Sequence, residues 1–293
     1  MQPFTLGGDR ALEAHARALE AASGDYRVLR RLLRPEELWL TPSQHGTQTV
    51  LGIVGTETTG LNDDARLIEL SIVKLVIDAE GWPCEVHCPL TMCEDPGEAL
   101  STLIRQITGL ADAALSGLRF DEPLLRHHLH GVDALVAWNA AFDARHWRAR
   151  FPWSDQPWIC ALKDHDWLAE GHAGRSLASV LSDRGLFYPP HRAEIDAWAL
   201  TVLLTMQARD GRSIAANLVD AGRRADLRIE ASGAPFAARE GLKAMGCRWD
   251  ARRRLWSIEV RQDAADGVID AMQAIHPSIR PTLAPVDWFN RHV

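Results

Sequence analysis

The sequence predicts an α/β fold: a mixed sheet flanked by helices on both faces, preceded by a helical extension and followed by a small α+β module. Three observations carry this expectation. The apolar run Thr49-Val50-Leu51-Gly52-Ile53-Val54 is too short for a helix of its own and suits a central strand. Strand-like stretches then succeed one another, giving way to strand–helix alternation, which is the pattern of an antiparallel meander joined to parallel strands. Beyond Asp210 the texture changes to short strands and helices in an arginine-rich segment.

Each element has its own warrant. Residues 11–34 place Leu12, Ala16 and Leu19, then Val28, Leu29, Leu32 and Leu33, at helical spacing. Ser23-Gly24-Asp25 breaks the run and Pro35 closes it, so a helical hairpin is expected. The segment 66–78 reads as a second strand, and Gly81 turns into a third at 84–90. Helices are expected at 99–107 and 124–130, a strand at 134–138, and a helix from Ala141. A short strand at 158–161, a helix at 177–185 and a last long helix at 194–208 complete this part. In the tail, strands at 228–230 and 256–260 flank a helix at 237–245, with a second helix at 263–274. The expected parts are an extension (1–47), a main α/β domain (48–210) and a basic module (211–293).

A chain of 293 residues, 46% of them hydrophobic, suffices for one sizeable core and a smaller unit. No stretch approaches the ~18–20 apolar residues of a membrane span, and Asp9, Arg10 and Glu13 stand where a signal peptide needs an apolar run. A soluble, cytoplasmic chain with no membrane partner is expected. Cys84, Cys88, Cys93, Cys160 and Cys247 form an odd, irregular set, the mark of reduced thiols. The net charge of −7 conceals segregation: between Arg212 and Arg261 eleven basic residues face six acidic ones, a local +5 against −12 elsewhere. That segment either contacts phosphates or forms a solvated arginine-rich face.

Three acidic clusters lie far apart in sequence: Val54-Gly55-Thr56-Glu57-Thr58-Thr59-Gly60-Leu61, Asn139-Ala140-Ala141-Phe142-Asp143 and His191-Arg192-Ala193-Glu194-Ile195-Asp196. Glu57 is expected just past the first strand, and Asp143 and Asp196 in the first turns of helices, positions that converge around a sheet. Two Mg²⁺ or Mn²⁺ ions ~3.5–4 Å apart can activate a water on one side of a phosphorus and stabilise the leaving oxygen on the other. Carboxylates are the ligands such hard cations take. His191, after Pro189-Pro190, is the candidate general base; a helix N-terminus opposes its protonation while nearby carboxylates pull the other way.

Together these residues resemble a DEDDh-type 3′-5′ exonuclease of the ribonuclease H-like superfamily, similar to the DNA polymerase III epsilon subunit and its stand-alone relatives. The resemblance spans about residues 48–208 and includes Ile107-Thr108-Gly109-Leu110, Trp158-Ile159-Cys160 and Ser176-Leu177-Ala178-Ser179-Val180-Leu181. It implies a ribonuclease H-like sheet, metal-binding carboxylates at position 55, Glu57, Asp143 and Asp196, and His191 as general base. It also implies stepwise hydrolysis of single-stranded nucleic acid from the 3′ end to nucleoside monophosphates, with DNA favoured over RNA. Thr58, Thr59, Gly60 and Leu61 would hold the terminal nucleotide, Leu61 against a base, with Asn139 and Phe142 beside them. The plain alternative is a tight turn whose Gly60 serves only the backbone. Nothing in the sequence supports a polymerase partner.

Two departures stand out. Trp138 replaces a histidine common in relatives and is expected to pack. Gly55 stands where a carboxylate touching both metals is expected, so metal occupancy and transition-state stabilisation should suffer. A strand-end glycine brings no packing and costs ~0.5–1 kcal/mol relative to alanine. Gly55 therefore marks either an inactivated form, the favoured reading, or a site where Asp63 or Asp64 substitutes in part. The expected function is a metal-dependent exonuclease scaffold impaired at Gly55, in which Gly55→Asp raises activity by orders of magnitude. A catalytically inactive 3′-end-binding protein and an RNA-directed exoribonuclease are the alternatives.

Other signals are weaker. Cys84, His87, Cys88 and Cys93 lack the paired spacing of a zinc site. His127, His128 and His130 fit an exposed amphipathic helix, and Asp164-His165-Asp166 reads as a polar loop. Trp147, Trp153 and Trp198 read as core. In the tail, Ala234-Pro235-Phe236-Ala237, Lys243 to Asp250 and Arg254-Leu255-Trp256 resemble a small module appended to bacterial exonuclease-like and primase-like proteins. There Trp249, Trp256, Arg252, Arg253 and Arg254 either bind nucleic acid by stacking and phosphate contact or form the basic rim of a mini-core.

Overall fold

The computed structural model describes residues 10–43, 46–251 and 253–292. The chain divides into a first unit, Met1–Ala221 with His292–Val293, and a second, Gly222–Arg291. The break falls at Gly222, later than the expected 211, because a helix after the turn at 209–213 belongs largely to the first unit.

The first unit begins with α1 (Arg10–Ala22), but the expected second helix of the hairpin does not form. Its residues run extended into β1 (Arg30–Arg31), a short strand pairing in parallel with Leu186–Phe187. The amide of Arg30 donates to the Gly185 carbonyl and that of Leu32 to Phe187, both at 2.8 Å. An open strand edge offering backbone partners outweighs a helical spacing confined between Gly24 and Pro35.

The main sheet starts with β2 (Thr47–Thr58) and β3 (Leu67–Asp78), paired antiparallel so that Ile53 faces Val73, Gly55 faces Ser71 and Glu57 faces Glu69. The middle of β2, Val50 to Gly55, and most of β3 are apolar, as strands covered on both faces must be. The single expected third strand is two, β4 (Pro83–Val86) and β5 (Leu90–Cys93), each pairing with its own stretch of β3. Helices α2 (Thr102–Thr108), α3 (Asp112–Leu115) and α4 (Glu122–Leu129) lead to β6 (Ala134–Ala137), parallel to β2. After α5 (Ala140–Arg150), β7 (Trp158–Cys160) adds in parallel to β6. The order β4-β3-β2-β6-β7, with β5 also on β3, is the expected mixed sheet, antiparallel on the β3 side of β2 and parallel on the β6 side.

Helix α6 (Leu177–Asp183), β8 (Leu186–Phe187) and α7 (Ala193–Leu204) follow, then α8 (Ile214–Arg223). Helix α7 lies against β2 and β3, and Trp198 through Leu204 are all buried. Trp147, Trp158 and Phe151 fill the core under α5, each at most 1% exposed. Trp147 and Trp198 are core, as expected, whereas Trp153 is half-buried. No helix among the described residues is long and apolar enough to cross a membrane.

The second unit is an antiparallel sheet with helices over one face. Strands β9 (Asp226–Ser232), β10 (Arg248–Asp250), β11 (Leu255–Arg261) and β12 (Arg280–Val286) lie in the order β10-β11-β9-β12, with α9 (Arg239–Ala244) and α10 (Ala265–Ile275) packed on a core that includes Ile229, Leu242 and Met272. The two edge strands were not expected from the sequence. Pro281 and Pro285 argue against a strand at 280–286, yet an edge strand tolerates proline because one side needs no amide donor.

Candidate active site

Glu57 lies inside β2, one residue before its end, rather than beyond it. Asp143 is the fourth residue of α5 and Asp196 the fourth of α7. The fold brings all three into electrostatic contact. Burial, then Asp196, Glu69 and Asp143, push the Glu57 carboxyl up to about 8, against a smaller opposing pull from Arg192. Burial pushes Asp143 up to about 7, with a small contribution from Asp196. Its Oδ1 accepts the Thr56 hydroxyl at 2.6 Å. Burial also raises Asp196, opposed by the His191 amide, which donates to Oδ2 at 2.8 Å, and by the Tyr188 hydroxyl. Burial and the nearby Asp196 carboxylate push the Tyr188 phenol up.

Glu57 differs from its neighbours in one respect: its carboxylate makes no hydrogen bond or ion pair with any described residue. It is half-buried among three other carboxyl groups. One of these, Glu69, was not anticipated. It is fully buried, receives the Arg192 guanidinium at 2.6–3.1 Å, and accepts the Ala193 amide at 2.9 Å. A carboxylate at the first free amide of α7 satisfies an orphan donor and opposes the positive helix end. A lone glutamate within the apolar run Leu67-Ile68-Glu69-Leu70 was the available signal; Thr56, Tyr188 and Arg192 left none that spacing could reveal.

Position 55 corrects the expectation that its glycine has no packing role. A Cβ there would stand 2.2 Å from the Ala193 carbonyl oxygen, 3.0 Å from its carbon and 3.1 Å from the Ala197 amide nitrogen. The backbone of α7 occupies the space a side chain needs. Gly55 permits the close approach of helix and strand, and the same turn carries Asp196. Of the neighbouring acids, Asp63 is ion-paired with Arg145 and exposed, and Asp64 is exposed.

Carboxylates that raise one another suit a hard divalent cation in kind. A pair of such ions needs more than this arrangement offers. The place of the fourth carboxylate is filled by backbone, and among the described residues no three His, Cys, Asp or Glu side chains converge to hold a metal. Three of the four carboxylates expected of a two-ion centre remain, Glu57, Asp143 and Asp196. All five cysteines are free thiols.

The substrate-side expectations fall as follows. Thr58 donates to the Gly60 carbonyl at 2.5 Å and Thr59 closes the loop onto Arg66, its amide bonding the Arg66 carbonyl at 2.9 Å and its hydroxyl accepting the Arg66 amide at 3.0 Å. These hydroxyls shape the turn. Leu61 at its tip is 83% exposed, although Arg145 anchors its carbonyl at 3.2 Å. Asn139 is exposed at the start of α5, and Phe142 is half-buried, edge-on to His146 with centroids 4.7 Å apart. His191 is exposed, and its φ of 75° is the left-handed conformation that non-glycine residues rarely adopt. Trp138 packs on Trp167 and donates to the Arg175 carbonyl, as its packing role predicts. Of the tail residues, Arg252 lies outside the described residues, Arg253 is ion-paired with Glu230, and Trp249, Arg254 and Trp256 lie on the β10–β11 hairpin.

No family model and no curated protein matches this sequence. Solved structures do. The chain is similar to exonuclease X in complex with 5′ overhanging duplex DNA, at 25% identity over 58% of this chain and 90% of that one, TM-score 0.41. It is similar to E. coli exonuclease I in complex with a dA16 oligonucleotide, at 13% identity over 64% and 49%, TM-score 0.46. A further exonuclease I structure aligns at 14% identity over 82% and 64%, TM-score 0.48. The chain thus spans about half the exonuclease I chain in the dA16 complex. The neighbours are exonucleases, the class that the motifs resemble.

Proposed function

We propose that this protein is a single-stranded nucleic-acid 3′-end-binding protein on a 3′-5′ exonuclease scaffold, with hydrolysis impaired and DNA favoured over RNA. One observation carries the reading: Glu57 is held without a partner beside Asp143, Asp196 and Glu69, while the backbone of α7 fills the place of the carboxylate expected at position 55. An acidic pocket of this kind calls for a cation that accompanies a polyanion, yet lacks the ligands of a two-ion hydrolytic centre. At most one Mg²⁺ or Mn²⁺ is expected here, held by Glu57 and Asp196, where it would supply positive charge to a terminal phosphate.

The remaining roles belong to this chain's own side chains. Leu61, exposed at a braced turn, offers an apolar face for a terminal base. Tyr188 and the His191 amide fix the orientation of Asp196. The His191 ring, exposed before α7, is the group available to take a proton in whatever hydrolysis remains.

The test is binding and digestion of end-labelled strands with and without Mn²⁺, using DNA and RNA, with 3′-hydroxyl and 3′-blocked ends. Retention of the 3′-hydroxyl DNA strand, weakened by Leu61→Ala and by 3′ blocking, with little cleavage, is the expected outcome. Rapid Mn²⁺-dependent release of mononucleotides by the unaltered chain would overturn the impairment. Indifference to the state of the 3′ end would overturn end recognition.

A further inference from the structure

The second unit carries an aromatic surface that the site in the first unit does not use. In its β10–β11 hairpin Trp249 stands directly across from Trp256, with ring centroids 5.5 Å apart and planes tilted by 54°. Trp256 packs against the core of this unit, while Trp249, on the edge strand, is 49% exposed. The inner ring braces the outer one and leaves much of it open.

Charge around the hairpin is less balanced than elsewhere in this unit. Arg228 pairs with Glu259, Arg253 with Glu230, Arg239 with Glu240 and Arg261 with Asp263. These pairs leave a basic excess in the segment. Arg248, next to Trp249 in β10, and Arg254, in the turn with φ of 52°, are exposed and make no ion pair with any described residue. A braced, half-open indole on a hairpin that also carries two uncommitted arginines, Arg248 on the opposite face of the edge strand and Arg254 in the turn, can stack a base while the arginines meet phosphates of the same strand. A protein partner would call for an apolar patch broader than one indole edge.

We infer that the β10–β11 hairpin is a second, end-independent site for single-stranded nucleic acid, in which Trp249 stacks a base and Arg248 and Arg254 hold phosphates of the same strand. Stacking on one ring is indifferent to base identity, so the site grips the interior of a strand. It supplements the end-binding reading without sharing a residue with it.

Circular single-stranded DNA, which has no 3′ end, separates the two. The full-length chain is titrated with it by tryptophan fluorescence and by anisotropy, at several salt concentrations. Trp249→Ala, which leaves Trp256 on the core, is expected to weaken binding about tenfold. Replacing Arg248 and Arg254 by Ala is expected to lower the slope of log affinity against log salt by about 0.7 for each phosphate no longer held. Circular dichroism checks that both variants stay folded. If the unaltered chain ignores circular DNA, or if folded variants bind it equally well, the inference fails. A failure of 3′-end recognition on linear strands leaves circular binding untouched and condemns the end-binding proposal alone.

Discussion

Adding a side chain at position 55 is the most direct perturbation of the site. A Cβ there lies 2.2 Å from a backbone carbonyl oxygen of α7 and 3.1 Å from an amide nitrogen of the same helix. Heavy-atom contacts settle near ~3.5 Å, so helix or strand must retreat by about 1 Å. Neither atom is the end of a flexible side chain, and α7 is wedged in by the buried stretch from Trp198 to Leu204. Overpacking of this kind costs about 1–3 kcal/mol, which in a unit of this size lowers Tm by about 2–12 °C. Gly55→Asp adds a fifth carboxyl to the crowded set of Glu57, Glu69, Asp143 and Asp196, so it is expected to destabilise at least as much as Gly55→Ala. It also displaces the turn that carries Asp196, and a shift of about 1 Å at a reacting centre can cost on the order of a hundredfold in rate. Restored nuclease activity, the outcome suggested by the motif alone, is therefore not expected. Thermal unfolding of both variants, with Mn²⁺-dependent digestion of a labelled strand, decides the matter. A Gly55→Asp protein that melts with the unaltered chain and cuts orders of magnitude faster would refute the packing argument.

Three further outcomes follow from groups placed by the fold. Glu69→Gln keeps the shape but removes the charge that Arg192 and the Ala193 amide bind; a loss of about 2 kcal/mol is expected, seen as a Tm drop of about 4–8 °C. Glu57 is raised to about 8 and Asp143 to about 7, so each favours the folded state while protonated. Their contribution is complete below the unfolded carboxyl value of about 4 and is lost as pH rises through 7 and 8. Glu57→Gln should flatten that decline in denaturant titrations at pH 5 and 8.5, and an equal decline in both proteins would discount the crowding. In the second unit Asp226 is buried, and although burial opposes its charge, Arg224 and Arg291 hold its carboxyl below the usual range. Its stabilisation is present above about pH 4 and lost as pH falls through the lowered value. Asp226→Asn removes the nearer of the two carboxylates beside the buried Arg291, leaving Glu259 at 3.5 Å, and is expected to cost about 2 kcal/mol, measurable as earlier unfolding in urea at pH 7.

The strands and helices of the first unit were largely legible in the sequence because apolar periodicity reports burial directly. The segment 28–33 was not, since its leucines satisfy a helical spacing while their backbone finds strand partners at β8. The positions of Glu57, Asp143 and Asp196 were readable because each sits beside turn or cap residues that end an element. Their environments were not. Whether Thr56 binds Asp143, whether Glu69 meets Arg192, and which arginines of the tail stay unpaired depend on residues brought together from distant parts of the chain.

By itself, then, the polypeptide's order of residues determined the class of sheet, the element ends and the three acidic side chains that meet there. Position 55 shows what only tertiary structure could decide. Read along the chain, its glycine is a missing carboxylate; read in space, it is the point where α7 rests on β2, with no volume left for a side chain. Local pattern registers polarity and periodicity, whereas the distance between two packed backbones is set jointly by all the side chains packed along the helix.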